Sequence, residues 1–217
     1  MNLRRGRILE VGCGGGVITR ELAEGRASLV VGLDRRPGVL HTRGGVRFVA
    51  AAAERLPFRD GAWDAVVTAF SLVWLADAHA FLEEAVRVMK NEAWFVALAE
   101  PDYEGLIEYP AEASSATEVA AAVRKGGGDP AIGRKLPALV AGAGLELVRL
   151  GTLNALWTPG RWAEEEEQEA ELLARLVGDL TLPERLRGIK AARKAAVARG
   201  ERFYFLPIFY AAARKRK

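Results

Sequence analysis

The chain has a single cysteine, Cys13, among 217 residues. That excludes an internal disulfide and a zinc centre built on a cysteine cluster, and it suits a reducing cytoplasm. Histidine is almost as scarce. His41 and His79 stand alone near expected helix ends, without the paired spacing of a metal site, so each reads as a surface or capping residue. No apolar run approaches the roughly 20 residues of a membrane span. No secretion signal is expected, because Met1 to Arg7 runs straight into a strand-like segment. A dominant charge is also missing. The formal net charge is +3, less than the four cations of Arg214-Lys215-Arg216-Lys217 alone supply. A basic end of this size reads as a solvated tail before it reads as a nucleic-acid arm.

What is present is alternation. Short apolar runs expected as strands lie at 7–11, 28–33, 46–50, 64–70, 93–99 and 145–150, with segments of helical period between them. That is the pattern of a parallel sheet flanked by helices. Helices are expected over 17–24, through Leu82, Ala85, Val86 and Met89, over 111–125 and over 134–143. A helical insert is expected over 154–200. Its first helix opens at Glu164-Glu165-Glu166-Glu167, and its second opens at a Thr181-Leu182-Pro183-Glu184 capping box with an apolar stripe of Leu182, Leu186, Ile189 and Ala196. A final strand is expected over 202–210, where Pro207 suits an edge or a bulge. The expected architecture is one α/β domain over 1–217, a doubly wound, mostly parallel sheet of seven strands with the last antiparallel.

The chemistry concentrates in Ile8-Leu9-Glu10-Val11-Gly12-Cys13-Gly14-Gly15-Gly16-Val17, a strand feeding a glycine-rich turn that opens a helix. Such a turn lets a ligand lie against bare peptide groups, and the helix N-terminus behind it favours an anion. Dinucleotide folds use a related loop, but their third glycine would fall at Val17. The spacing Glu10-x-Gly12-x-Gly14-x-Gly16 instead resembles the first motif of class I S-adenosylmethionine (SAM) dependent methyltransferases. Ala53-Glu54-Arg55-Leu56-Pro57-Phe58-Arg59-Asp60-Gly61-Ala62-Trp63-Asp64 resembles the family's "A-E-x-L-P-F-x-D-x-x-F-D", and Arg87-Val88-Met89-Lys90-Asn91-Glu92-Ala93 resembles its "R-V-L-K-P-G-G". The segments around Glu100-Pro101-Asp102-Tyr103 and Gly128-Asp129-Pro130 resemble the small-molecule, type 11 branch. The likeness runs from residue 7 to about residue 102 in the family's order.

The resemblance implies SAM as methyl donor, S-adenosylhomocysteine as product, a small-molecule acceptor and a cytoplasmic enzyme. It assigns the amino-acid end of SAM to Glu10 and the turn Gly12, Cys13, Gly14 and Gly16. The ribose falls to Asp34 and the adenine to Arg35, Ala52, Ala53 and Glu54. Ser71 falls at the methyl-transfer site. Cys13 fills a place that needs a small residue and is not expected to act as a thiol. Trp74, Tyr103 and Trp157 follow the fourth, fifth and sixth strands, where open α/β sheets bind ligands, and are the candidate substrate contacts. No metal site is expected, and no catalytic residue is named.

Three positions depart from the family. Ala52 stands where an aspartate often accepts from the adenine amino group, so that acceptor is missing, or Glu54 or a backbone carbonyl replaces it. Leu72-Val73-Trp74-Leu75 lacks the common histidine pair. Asn91-Glu92 replaces Pro-Gly, which is expected to alter only a turn. Covers over the substrate are expected from 102–130 and from the insert, as a lid. The alternatives are an RNA- or protein-modifying methyltransferase, through a basic face of Arg185, Arg187, Lys190, Arg193 and Lys194, and a non-catalytic SAM-binding module.

Overall fold

The computed structural model describes residues 6–25, 27–36, 46–153, 156–157 and 183–217. His41, the first insert helix and the Thr181-Leu182 part of the capping box lie outside the described residues.

The strands are β1 (Arg7–Val11), β2 (Leu29–Asp34), β3 (Val46–Ala50), β4 (Trp63–Thr68), β5 (Met89–Pro101), β6 (Ile107–Tyr109), β7 (Leu145–Thr152), β8 (Leu156–Trp157), β9 (Phe203–Phe205) and β10 (Ile208–Lys215). The helices are α1 (Val17–Glu24), α2 (Ala78–Val88), α3 (Ala116–Lys125), α4 (Ile132–Gly142) and α5 (Pro183–Ala198). A seven-stranded sheet runs in the order β3-β2-β1-β4-β5-β10-β7, and β10 is antiparallel to both its neighbours. This is the expected doubly wound sheet. The chain moves outward from β1 through β2 to β3 and then returns to β4 on the other side. The switch point therefore lies between β1 and β4, and a ligand crevice opens beyond their carboxyl ends.

The central strands β1, β2, β4 and β5 are buried on both faces. Leu9, Val11, Val31, Leu33, Val66 and Phe95 pack with Phe81, Leu82 and Ala85 of α2 and Leu136 and Val140 of α4. Ile8, Val30, Ala65, Val67 and Val96 face the other way, toward Leu22 and Ala23 of α1. Double burial explains why these strands read as continuous apolar runs without alternation.

Four local expectations are corrected. The final strand is two strands, because Pro207 offers no N–H and breaks the ladder. Its first part, β9, joins a separate three-stranded sheet in the order β6-β9-β8. Its second part, β10, runs on into the basic end, which is therefore no solvated tail. Lys215 Nζ donates to the carbonyls of Val86 (2.7 Å) and Met89 (2.9 Å), at the C-terminus of α2, where a cation is favoured. Arg214 pairs with Glu92 at 2.7 Å and Arg216 with Glu146 at 3.1 Å. Met89 opens β5 and does not close α2, and Asn91 and Glu92 lie within β5 in an irregular stretch, where the register against β4 shifts and Glu92 takes φ 64. The helix expected from residue 111 begins only at Ala116. Glu108 captures the Ser115 amide at 2.7 Å and the Ser114 hydroxyl at 3.1 Å, which ends the preceding turn.

The Leu56-Pro57-Phe58 motif and Arg87 prove to be one device. The Arg87 guanidinium donates to the carbonyls of Phe58 (2.9 Å) and Leu56 (3.0 Å), to Asp60 (2.6 Å) and to Glu84 (2.6 and 2.8 Å). Glu84 in turn accepts the Leu56 amide at 2.8 Å. Arg87→Ala should cost roughly 1.5–3 kcal/mol, since it strands backbone carbonyls and a carboxylate that a charged donor had satisfied. Urea unfolding of the variant checks this.

The described half of the insert, α5, lies against α3 and the short turn 111–113. Ile189 packs with Val119 and Ala122, alongside Leu186 and Tyr103. Ile189 and Ala196 of the expected stripe are buried. The basic residues of α5 are largely engaged. Arg185 pairs with Glu118, Arg187 with Glu184, and Arg193 is buried against Glu108. No described helix is long and apolar enough to cross a membrane.

Candidate active site

The crevice is a cavity of about 550 Å³, inside the range of about 300–1,000 Å³ usual for small-molecule sites. Of the expected site residues, Gly12, Gly14, Asp34, Arg35, Ala53, Ser71 and Trp74 line it. They arrive from the ends of β1, β2, β3 and β4, as the switch-point topology requires.

The glycine turn is fastened from both sides. The amides of Gly12 and Cys13 donate to the Leu33 carbonyl at 2.7 and 3.0 Å. The Asp34 carboxylate, next along β2, accepts the Gly14 amide at 3.0 Å and the Arg36 amide at 2.8 Å. Ser71 Oγ lies within reach of the Gly12 carbonyl (3.1 Å) and the Ala69 carbonyl (2.9 Å). A Cβ on Gly12 would fall 2.0 Å from that Oγ, so this position admits only glycine while Ser71 is in place. A Cβ on Gly14 would meet nothing within 4 Å. Space that a side chain could fill, on a residue lining the cavity, is what a ligand lying against the backbone needs.

The residues fit an adenosine. An ionised carboxylate has about four acceptor positions. Two on Asp34 are taken by amides, which leaves two for a vicinal diol. Leu33, Ala51 and Ala53 add small apolar wall beside it, suited to a flat ring.

Other expected residues stand behind the wall. Glu10 is buried and accepts a hydrogen bond from Thr19 of α1. Burial raises its pKa, the Thr19 bond lowers it, and Asp34 raises it further, for a net upward shift. Cys13 is buried, and burial, then Glu10 and Asp34, push its thiol up to about 12, so no thiolate forms near neutral pH. Gly16 caps α1, with its amide on the Cys13 carbonyl at 2.7 Å. Glu54 faces Arg35 at 3.6 Å. The Ala52 carbonyl accepts from Arg55 at 3.3 Å. Neither Ala52 nor Glu54 lines the cavity. Tyr103 does not reach it either. It is packed between the main core and the α3–α5 cover, and burial pushes its hydroxyl up to about 12. For Trp157 only the backbone, in β8, belongs to the described residues. His79 is exposed in the first turn of α2. Among the described residues no cluster of His, Cys, Asp and Glu could hold a metal ion.

Sequence reasoning missed Thr68, Phe70, Leu75, Phe81 and Gly126, which also line the cavity. Phe70 is 48% exposed and Trp74 41%. Phe70 also holds a left-handed φ of 51, a strained state for an aromatic residue. The glycine run 126–128 could have hinted at Gly126; nothing in the sequence marks the conformation of Phe70.

Comparison with known proteins now bears on this site. Residues 9–97 match the family described as "Methyltransferase domain". Over that segment, less than half of the chain, the protein is similar to methyltransferases.

A stretch of 88 residues is 36% identical to a demethylmenaquinone methyltransferase of Beutenbergia cavernae, covering 39% of this chain and 36% of that protein. The chain thus matches about a third of the length of that relative. Among solved structures, a putative methyltransferase from Bacillus halodurans aligns over 98% of this chain and 94% of its own, at 18% identity and TM-score 0.60. The cyclase SpnF aligns over 98% and 75%, at 21% identity and TM-score 0.60. A geranyl diphosphate C-methyltransferase from Streptomyces coelicolor, solved with S-adenosylhomocysteine, aligns over 97% and 72%, at 18% identity and TM-score 0.57. At these identities the structural likenesses establish the fold.

Proposed function

We propose that the chain binds SAM in this crevice and transfers its methyl group to a small-molecule acceptor by in-line displacement, in the cytoplasm. The observation that carries the reading is Asp34, which lines the cavity with two acceptor positions free and whose other two hold the Gly14 and Arg36 amides. The curated relative, a methyltransferase named for a quinone-type small molecule, supports it over the matched segment.

Bound SAM supplies a methyl carbon already activated on a sulfonium. The protein's own task is then alignment, which can contribute as much as about 7–11 kcal/mol. Asp34 would hold the ribose, the bare backbone at Gly12 and Gly14 the amino-acid end, and Leu33, Ala51 and Ala53 the adenine. Ser71, tied to the Gly12 carbonyl, would border the reacting end, with Phe70 and Trp74 as apolar wall for the acceptor. The turn 111–113, α3 and α5 would form a cover over that side, since Gly126 at the end of α3 reaches the cavity. An RNA-modifying role gains no support from the basic residues of α5 and β10, most of which pair with carboxylates of the chain itself.

Asp34→Ala is expected to weaken SAM binding by roughly 1.5–3 kcal/mol, about ten- to a hundredfold. Calorimetric titration reads the change. For activity, the test is transfer of a labelled methyl group from SAM to pools of small molecules, RNA and protein. Label in the small-molecule pool supports the proposal. Label only in RNA or protein, or SAM binding with no transfer to any pool, refutes it.

A further inference from the structure

One carboxyl near the crevice has no assigned role. Glu100, at the end of β5, is 0% exposed. Its neighbours are neutral donors: the Thr68 hydroxyl at 3.4 Å, the Ser71 amide at 3.5 Å and the Leu72 amide at 3.1 Å. No cation pairs with it among the described residues. Thr68 and Ser71 are themselves cavity wall. The carboxyl is therefore one residue's thickness behind the cavity, on the β4 side, where Ser71 meets the glycine turn.

We propose that Glu100 is a buried counter-charge that favours a cationic ligand in the cavity, so that SAM, with its sulfonium, is held in preference to S-adenosylhomocysteine, whose sulfur is neutral. This rests on the proposed function.

The electrostatics run in one direction. A buried carboxylate without a cation is costly, and amide donors offset only part of the cost. Burial accordingly pushes the Glu100 carboxyl up to about 8, against the opposing hydrogen bonds from Ser71, Leu72 and Thr68. A positive charge arriving across a wall shielded from water favours the ionised form. SAM binding below pH about 8 should therefore release a proton from Glu100, and S-adenosylhomocysteine binding should release much less. The consequence is useful to a transferase: once the methyl group has left, the product loses the attraction that held the donor.

The surrounding groups do not duplicate this behaviour. Tyr103, beyond Glu100 on the same segment, is pushed up to about 12 and stays neutral. Asp102 is tied to Arg134 of α4. Phe209 of β10 and Gly133 of α4 bring no charge. Among the described residues, the carboxyl groups of Glu10 and Asp34, at the ends of β1 and β2, also stand near the proposed ligand, and Glu100→Gln leaves both in place.

The test is calorimetric titration of the whole chain with SAM and with S-adenosylhomocysteine at pH 6.5 and pH 8.5. The sulfonium lowers the pKa of the amino group of SAM relative to that of S-adenosylhomocysteine, so the pH dependence owed to the ligands themselves is read in Glu100→Gln, which keeps it. Relative to Glu100→Gln, the wild-type preference for SAM should rise about sixfold between the two pH values, the linkage expected for a one-unit fall in the Glu100 pKa from about 8. An equal change of the ratio with pH in the wild type and in the variant would overturn the proposal. Should Glu100→Gln fail to fold, titration of the wild type at pH 7.5 in two buffers of different ionisation enthalpy decides. Proton release with SAM alone supports the proposal, and none refutes it. If the wild type binds neither ligand, the SAM reading itself falls.

Discussion

Gly14→Val is expected to leave the fold intact and to remove binding of SAM and S-adenosylhomocysteine. Gly14 has φ 48, so a side chain there costs about 1–2 kcal/mol of backbone strain, within the reach of a folded domain. Nothing in the protein stands within 4 Å of the new Cβ, so the core is untouched. The valine methyls would occupy the cavity against which the ligand must lie. Overpacking of this kind costs on the order of 3 kcal/mol, roughly a hundredfold or more in affinity. Circular dichroism and calorimetry together check the result. A folded variant with normal affinity would show that the ligand does not use this turn.

Glu108→Ala is expected to cost more in stability than any other single change considered. Glu108 has no exposed side-chain surface and pairs with Arg193 at 2.8 Å and Arg202 at 2.6 Å. It thereby joins β6, α5 and the approach to β9, the parts that form the cover. Arg193 also donates to the Ala113 carbonyl (2.9 Å) and to Ser115 (2.7 Å). Removing one partner of a buried ion pair leaves charge uncompensated and typically costs about 3–5 kcal/mol. For a chain of this size that corresponds to roughly 6–20 °C in the melting temperature. Hydrogen exchange should show the loss concentrated in α5, β6 and β9, with β1 and β4 still protected. Uniform loss across both sheets would mean that the cover and the main sheet unfold as one unit.

The central strands were legible because they are buried on both faces and bracketed by helical segments. Ile8, Leu9 and Val11 of β1 and Ala65-Val66-Val67 of β4 announce themselves by their apolarity. The glycine turn and Asp34 were legible for a different reason: their spacing follows from the chemistry of a nucleoside lying across a strand–turn–helix unit. What could not be read depends on partners far away in the chain. Glu108 meets arginines 85 and 94 positions on. The fate of the basic end turned on Pro207, which released Ile208–Lys215 to fill the gap between β5 and β7. Local pattern carries no trace of such pairings. Glu10 shows the limit of transferring a role by position, since here it is turned inward onto Thr19 and does not line the cavity. Tyr103 likewise follows the right strand, yet its ring went to the junction of the core and the cover.

The most direct test of the account is titration of the wild-type chain with S-adenosylhomocysteine. The account predicts saturation at one ligand per chain with a dissociation constant in the micromolar range or tighter, about −8 kcal/mol or better. It also predicts a tenfold or greater weakening in Asp34→Ala. No binding at millimolar ligand, or binding that Asp34→Ala leaves unchanged, would contradict it.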